Sequence, residues 1–320
     1  MNFKKIEKIK DAAQNAANQL SGPLGFGYYD LQTDESCYLN GEKRFPTASI
    51  FKIFVLAELF RSVHEGEVSL EDRFPLTKSM KTPGSGILFQ MSEGTNYSLY
   101  DYAFLMMALS DNTAADFLYK YVGRNNIFNH VLKPMGLQNT KVDLSCAELF
   151  QYYCNIDPSL PVKQQINSYL TGDFLNNDYY FCTQERNDVT TPHDLSKYYK
   201  TMYDGKWCSP QTSSDLLELM KKCQTNSRIP KKLPAGTQVA HKTGTFDRLV
   251  CDSGIVFTKK AHIYSPFCIT AILPHLMNTA AIKEVRMERP FSRKYRKKSL
   301  TSSSISFDRE NVSLYGVLKQ

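Results

Sequence analysis

Residues Ile50 to Phe60 read Ile-Phe-Lys-Ile-Phe-Val-Leu-Ala-Glu-Leu-Phe, apolar nearly all the way round a helix. A helix with no polar face to offer water must lie in the middle of a domain, wrapped by the rest of the chain. At 320 residues the chain is long enough to do that wrapping. The run is far shorter than the roughly 18–20 apolar residues of a membrane span, it carries Lys52, and no other stretch is longer. An integral membrane protein is therefore excluded.

Composition narrows the class. Hydrophobic residues make up 42% and charged residues 22%, as in an ordinary globular protein, so disorder, collagen and coiled coil are set aside. The net charge of +7 suggests nucleic acid until it is mapped. Ten Lys or Arg and four acidic residues fall in 281–320, so the first 280 residues are close to neutral. The basicity describes a tail, and no nucleic-acid partner is expected. The eight cysteines contain no Cys-x-x-Cys pair, which excludes a zinc cluster by spacing, and the length excludes a small disulfide scaffold. No HExxH or spaced carboxylate set suggests a metal. At the start, Phe3, Ile6, Ile9, Ala13, Ala16 and Leu20 recur at helical steps and form no signal-peptide core. The default compartment is cytoplasmic, with the periplasm or secretion expected if residues precede Met1.

Along the chain, Gly25–Leu31 and Ser36–Asn40 read as a hairpin. From Thr47 to about Met220 the helical period dominates. Ser98 with Asp101 marks one helix start, and Thr113–Val122 and Asp194–Tyr203 are further helices. Strands return at Gln238–His241, Cys251–Phe257 and Phe267–Leu273. Strands at both ends around a helical middle predict one α+β unit. We expect a single domain over 1–280, with the α/β part at about 1–46 and 232–280 and the helical part at about 47–231. A basic, poorly ordered tail is expected over 281–320. Ser145–Asn187 shows no clear period and reads as a long surface excursion.

Three triplets carry chemistry. Ser49-Ile50-Phe51-Lys52 places a hydroxyl and an amine one turn apart against a low-dielectric wall. Two readings stay open: an N-cap serine with a snorkelling lysine, or a nucleophile beside a lysine base whose pKa burial lowers. Ser110-Asp111-Asn112 falls where one helix ends and the next begins, a place that also suits a plain N-cap. Lys242-Thr243-Gly244, with Thr245 after it, closes the strand from Gln238 and would offer a peptide-like substrate a cationic edge, or simply end a strand.

Ser-x-x-Lys, Ser-Asp-Asn and Lys-Thr-Gly in this order are the signature set of the penicillin-recognising serine enzymes, and the chain resembles a class A β-lactamase. Arg44-Phe45-Pro46, Ser110–Leu118, Thr190-Thr191-Pro192 and Leu233-Pro234-Ala235-Gly236 extend the likeness over roughly residues 20–275. The resemblance implies a β-lactamase/D,D-peptidase-like fold, an antiparallel sheet flanked by helices beside an all-helical subdomain. It implies no metal or organic cofactor, a monomer, and a small-molecule β-lactam or peptidoglycan-like amide as substrate. Ser49 would be acylated, Lys52 would take its proton, and Ser110 would relay a proton to the leaving nitrogen. Lys242 would support that step, Asn112 would bind the substrate amide, and Thr243 and Thr245 its carboxylate. The backbone N–H groups of Ser49 and Thr245 would form the oxyanion hole.

Members that hydrolyse the acyl-enzyme quickly carry Glu in an E-x-x-L-N arrangement on a loop. Here Thr171–Asn176 offers Gly172 at that place and Asp173 beside it, so Asp173 is the candidate water-activating carboxylate, with Glu148 and Glu185 as outsiders. An arginine that often assists carboxylate binding is replaced by Cys251–Ser253, with Arg248 nearby. The expected function is β-lactam hydrolysis. The rivals are a D,D-peptidase-like or esterase acyl-enzyme former with slow deacylation, and a non-hydrolysing β-lactam sensor.

Overall fold

Strands from residues 24–39 and from residues 238–272 meet in one antiparallel sheet, and the helices between them pack on one face of it. The computed structural model describes residues 3–20, 22–154, 156–157, 159–161, 164–165, 168, 186–246, 249–258, 263–265 and 269–272. The expected tail at 281–320 lies outside them.

In chain order, helix α1 (Phe3–Asn18) leads into the hairpin β1 (Leu24–Asp30) and β2 (Ser36–Leu39), followed by the short β3 (Phe45–Pro46). A 3₁₀ turn over Ala48–Phe51 runs directly into α2 (Lys52–His64). Strands β4 (Arg73–Pro75) and β5 (Asn96–Ser98) pair with each other. Helices α3 (Leu99–Ala108), α4 (Asn112–Val122) and the short α5 (Arg124–Asn126), which passes into a π turn over Ile127–Leu132, follow. Then come α6 (Cys146–Cys154), β6 (Val189–Thr190), α7 (Pro192–Tyr203) and α8 (Pro210–Met220). The chain returns to the sheet with β7 (Gln238–Phe246), β8 (Leu249–Phe257), β9 (Ile263–Ser265) and β10 (Ile269–Ile272).

β9 and β10 both lie between β1 and β8, so they occupy one strand position end to end, and the sheet runs β2-β1-(β9/β10)-β8-β7. The edge pair β7–β8 is continuous from Gln238↔Phe257 to Phe246↔Leu249. Alternation along β7 sends Ala240 into the large core with the helices and Val239 into the smaller core under α1. α1 covers that outer face with Ile9, Ala13 and Ala16, against Leu24, Phe26 and Tyr28.

α2 behaves as its composition demands: every residue from Lys52 to Phe60 is buried. Phe54 is fully buried, and truncating such a side chain to alanine typically costs about 3–5 kcal/mol. Around it, α3 starts at a capping box in which Ser98 accepts from the Asp101 N–H while the Asp101 carboxylate accepts from the Ser98 N–H. The hydroxyls of Tyr198 and Tyr199 on α7 tie the layers together. The first donates to the Ile53 carbonyl at 3.0 Å, and the second lies 2.9 Å from Ser253 Oγ on β8.

Three expectations change. Ser49 lies on the 3₁₀ turn before the α-helix, and no side chain caps either segment. The Lys-Thr-Gly triplet lies inside a nine-residue strand, its pairing with β8 carrying the strand on to Phe246. The supposed excursion begins with a regular helix, α6, because Cys146, Leu149, Phe150 and Tyr153 recur at helical steps and are buried. Among the described residues no helix is long and apolar enough to cross a membrane.

Candidate active site

Four segments converge at the junction of sheet and helices. Lys52 opens α2 and is 0% exposed, so it does not snorkel. Its Nζ donates to the Ser110 carbonyl oxygen at 2.7 Å, to Ser110 Oγ at 3.2 Å and to Asn112 Oδ1 at 2.8 Å. Across from it, Lys242, also 0% exposed, donates to the same Ser110 Oγ at 2.9 Å and to the Thr243 carbonyl at 2.8 Å. One hydroxyl therefore bridges two buried amines. With both lone pairs of its oxygen engaged, its own proton is left to donate elsewhere.

The residues arrive there for local reasons. Ser49 and Lys52 sit at the two ends of a three-residue step along the 3₁₀ turn, where positions i and i+3 eclipse. Ser49 is half-buried. Ala48 before it has φ +43° and Ser110 has φ +56°, left-handed values that cost non-glycine residues about 1–3 kcal/mol each and that cluster where side chains must be aimed. Gly244 lets β7 approach the segment that carries Ser49. A Cβ there would lie 2.5 Å from Cys251 Sγ and 2.7 Å from the Thr47 carbonyl oxygen. Thr47 is held in turn by its N–H donating to the Asp188 carbonyl at 2.9 Å.

Asp111, the N-cap of α4, accepts from Ala114 N–H and from the N–H groups of Ile87 and Leu88, at 2.9, 2.6 and 2.9 Å, which pins the loop before α3 against the site. Gly86 makes this possible, because a Cβ there would strike the Asp111 carboxylate at 2.2 Å. Asn112 is fixed at both ends of its amide. Nδ2 donates to the Pro83 carbonyl at 2.9 Å while Oδ1 accepts from Lys52, which leaves one amide hydrogen for a ligand.

Electrostatics follow from the burial. Desolvation pulls the Lys52 pKa down, opposed by electrostatic attraction from Cys146, Asp111 and Asp116. Desolvation, and then repulsion from Lys52, bring Lys242 down to about 7. Burial at one shared site thus makes both amines less basic, and Lys242 gains or loses its proton near neutral pH.

The structure adds four residues that sequence reasoning missed. Cys146, at the start of α6, donates its S–H to Asn112 Oδ1 at 3.4 Å and so faces Lys52. Asp116 holds it there, accepting from Cys146 N–H at 2.6 Å, Ala147 N–H at 2.9 Å and Thr82 Oγ1 at 2.8 Å. Phe150, one turn further along α6, stacks on Phe246 at the end of β7 with ring centres 6.4 Å apart. Arg228 lies on the rim of β7: its guanidinium donates to the Gly244 carbonyl at 2.7 Å and to the Cys251 carbonyl and Thr245 Oγ1. It supplies the cation that the sequence reading sought near Cys251. The only advance sign of these residues was the helical spacing in α6; Arg228 is remote in sequence from the strand it serves.

Of the expected site residues, Ser49, Lys52, Ser110, Asn112, Lys242, Thr243 and Thr245 lie on the converging segments. Asp173 lies outside the described residues, as do Gly172, Glu185 and Arg248. Glu148 is turned to other work, accepting from Ser145 N–H at 2.8 Å and pairing with Arg186 at 2.8 Å.

The fold and this amine-bridged serine define a serine hydrolase of the penicillin-recognising type. The sequence profile of the β-lactamase enzyme family matches residues 7–284, and the chain belongs to that family. β-Lactamase CARB-4 of Pseudomonas aeruginosa is 25% identical over 244 residues, 76% of this chain and 74% of its own. Among solved structures, a β-lactamase from Sphaerobacter thermophilus superposes with a TM-score of 0.69 at 26% identity, covering 87% of this chain and 94% of that one. PBP-A, at 24% identity, superposes with a TM-score of 0.66 over 84% of this chain and 88% of its own, a likeness of fold.

Proposed function

We propose that Ser49 attacks the carbonyl of a β-lactam amide, opening the ring to an acyl-enzyme that water then hydrolyses. The observation that carries this reading is Ser110 Oγ held between Lys52 Nζ and Lys242 Nζ. Lys52, its basicity lowered by burial, takes the Ser49 proton as the new C–O bond forms. The Ser49 and Thr245 N–H groups receive the negative charge that develops on the carbonyl oxygen, a stabilisation worth on the order of 10²–10³ in rate per donor. Ser110 delivers a proton to the departing ring nitrogen, and the neighbouring amines replace it. Thr243, Thr245, Lys242 and Arg228 hold the substrate carboxylate, and Asn112 donates its remaining amide hydrogen to the carbonyl oxygen of the substrate side-chain amide.

Deacylation needs a base for water. Asp173 is the candidate expected from the sequence. Against it stands Cys146, the group that α6 directs toward Lys52. Burial raises its thiol well above the ordinary value, and the thiol is neutral there. A neutral thiol takes no proton from water, and this favours a second reading in which acylation outruns deacylation and the acyl-enzyme accumulates.

Intact-mass measurement of penicillin-treated protein beside a nitrocefin turnover assay tests both. The expected result is a covalent adduct during turnover, abolished with the turnover by Ser49→Ala. Activity that survives Ser49→Ala overturns the mechanism, and an adduct without turnover leaves the D,D-peptidase-like or sensor role. Asp173→Asn should slow deacylation more than acylation if Asp173 activates water.

A further inference from the structure

Behind the carboxylate-binding strand, a histidine and a carboxylate that the proposed reaction does not use anchor an arginine that reaches the site. His241 on β7 and Asp252 on β8 sit diagonally across the two strands on the same face, since His241 pairs with Gly254 and Asp252 with Thr243. His241 Nδ1 lies 2.9 Å from Asp252 Oδ1, and both residues are buried. The other Asp252 oxygen accepts from the Ile229 N–H at 3.0 Å. Ile229 follows Arg228 directly, so the backbone that carries the arginine is pinned to the two strands its guanidinium touches.

Arg228 Nη1 donates to the Gly244 carbonyl at 2.7 Å and to the Cys251 carbonyl, while Nη2 donates to Thr245 Oγ1. Cys251 pairs with Gly244 across the strands, and its Sγ lies 3.4 Å from the Gly244 carbonyl oxygen. That oxygen therefore faces β8. In a planar trans peptide the N–H points opposite to the C=O. The N–H of the Gly244–Thr245 peptide belongs to Thr245, and it is turned away from β8. Among the described residues β7 is the last strand of the sheet, so this N–H faces the open edge.

We propose that Arg228 is a positioning residue of the oxyanion hole: by donating to the Gly244 carbonyl it aims and polarises the peptide whose Thr245 N–H receives the charge on the substrate carbonyl oxygen. This role rests on the acylation reading above, and it is separate from any contact of Arg228 with the substrate carboxylate. A cation on the carbonyl end of a peptide draws electron density from its N–H end, and successive hydrogen bonds strengthen one another by about 10–30% each. Aim matters as much, because a donor helps only when it points at the place where charge develops. The same guanidinium fills a lone pair of Thr245 Oγ1, so that hydroxyl keeps its own proton to donate.

Arg228→Lys keeps the charge and loses the fork that spans two carbonyls and a hydroxyl. Acylation rates of the full-length protein are measured by intact mass with benzylpenicillin and with its methyl ester, which has no carboxylate. A whole oxyanion donor is worth on the order of 10²–10³ and a misaimed one keeps part of that, so both compounds should slow by about tenfold and by the same factor. A loss confined to benzylpenicillin, or no loss with either, overturns the proposal. A second measurement needs no substrate. Labelling glycine at its carbonyl carbon and threonine at its nitrogen with heavy isotopes selects the three Gly–Thr peptides, 94–95, 236–237 and 244–245. In Arg228→Lys the Thr245 amide resonance should move upfield while those of Thr95 and Thr237 stay, which also shows that the variant is folded. An unmoved Thr245 resonance overturns the proposal, and it decides alone where the wild type leaves the ester unreacted. If the wild type forms no adduct with either compound, the acylation reading fails and this role of Arg228 with it. A wild-type adduct beside any contrary result above removes the role of Arg228 alone.

Discussion

Two residues set the chemistry in opposite directions, Lys242 by what burial does to an amine and Cys146 by what burial does to a thiol. With Lys242 at about 7, its charge is lost as pH rises through neutrality, and with it the cation proposed to hold a substrate carboxylate. The acylation efficiency of the free enzyme should therefore fall on the alkaline side of pH ~7, where kcat/KM reports free-enzyme ionisations. A profile flat from about pH 6 to 9 would contradict that role for Lys242. At the second position, Cys146→Glu puts a carboxylate where a neutral thiol now faces Lys52. Deacylation should rise by about 10²-fold, the lower range for a positioned general base, with acylation little changed. Pre-steady-state adduct decay measures it. No acceleration would show that α6 does not present this position to the attacking water.

Among the elements, the short β3–β6 pair and the start of α6 decide how the Ser49 segment is braced. Asp188 precedes β6, its carbonyl holds Thr47, and its carboxylate Oδ1 accepts from Asp143 and Leu144 N–H at 2.7 and 2.9 Å while Oδ2 has no partner among the described residues. Burial raises this carboxyl from its ordinary 3.8 to about 8. Between those values the folded protein holds a proton that the unfolded chain has released, so this contribution is full below about pH 4 and falls as pH rises toward 8. Asp188→Asn should shrink the loss of urea stability between about pH 5 and 8. An undiminished loss would assign the proton elsewhere. The sequence announced elements wherever one period ran uninterrupted, as in α2, α3 and α4. It missed α6 because four buried positions stand among Glu148, Gln151 and Tyr152, and it stopped β7 early because Gly244 and the threonines read locally as a strand end.

For the molecule as a whole, the sheet separates two tasks. One face, carrying Ala240, Cys251 and Ile255, joins the helical core and the cleft; the other, carrying Val239 and Val256, is covered by α1. Stability and chemistry should separate accordingly. Ile9→Ala, at a residue 3% exposed on α1, should cost about 2–4 kcal/mol in unfolding free energy and leave the acylation rate at 25 °C within about twofold. Thermal or urea unfolding beside adduct kinetics reads both. A proportionate loss of acylation would mean that α1 and the cleft are one cooperative unit.

Local chemistry along the chain was enough to determine the α+β class, the buried central helix and the three reactive triplets, because residue period and turn chemistry act over a few positions. The opposition of Lys52 to Lys242 across one hydroxyl was implied only by the order of motifs, since the residues are 190 positions apart in the chain. Which group α6 turns toward that amine, which arginine reaches Thr245, and that His241 meets Asp252 across two strands were decided by packing. These contacts depend on how sheet and helices pack together, and no local period encodes that.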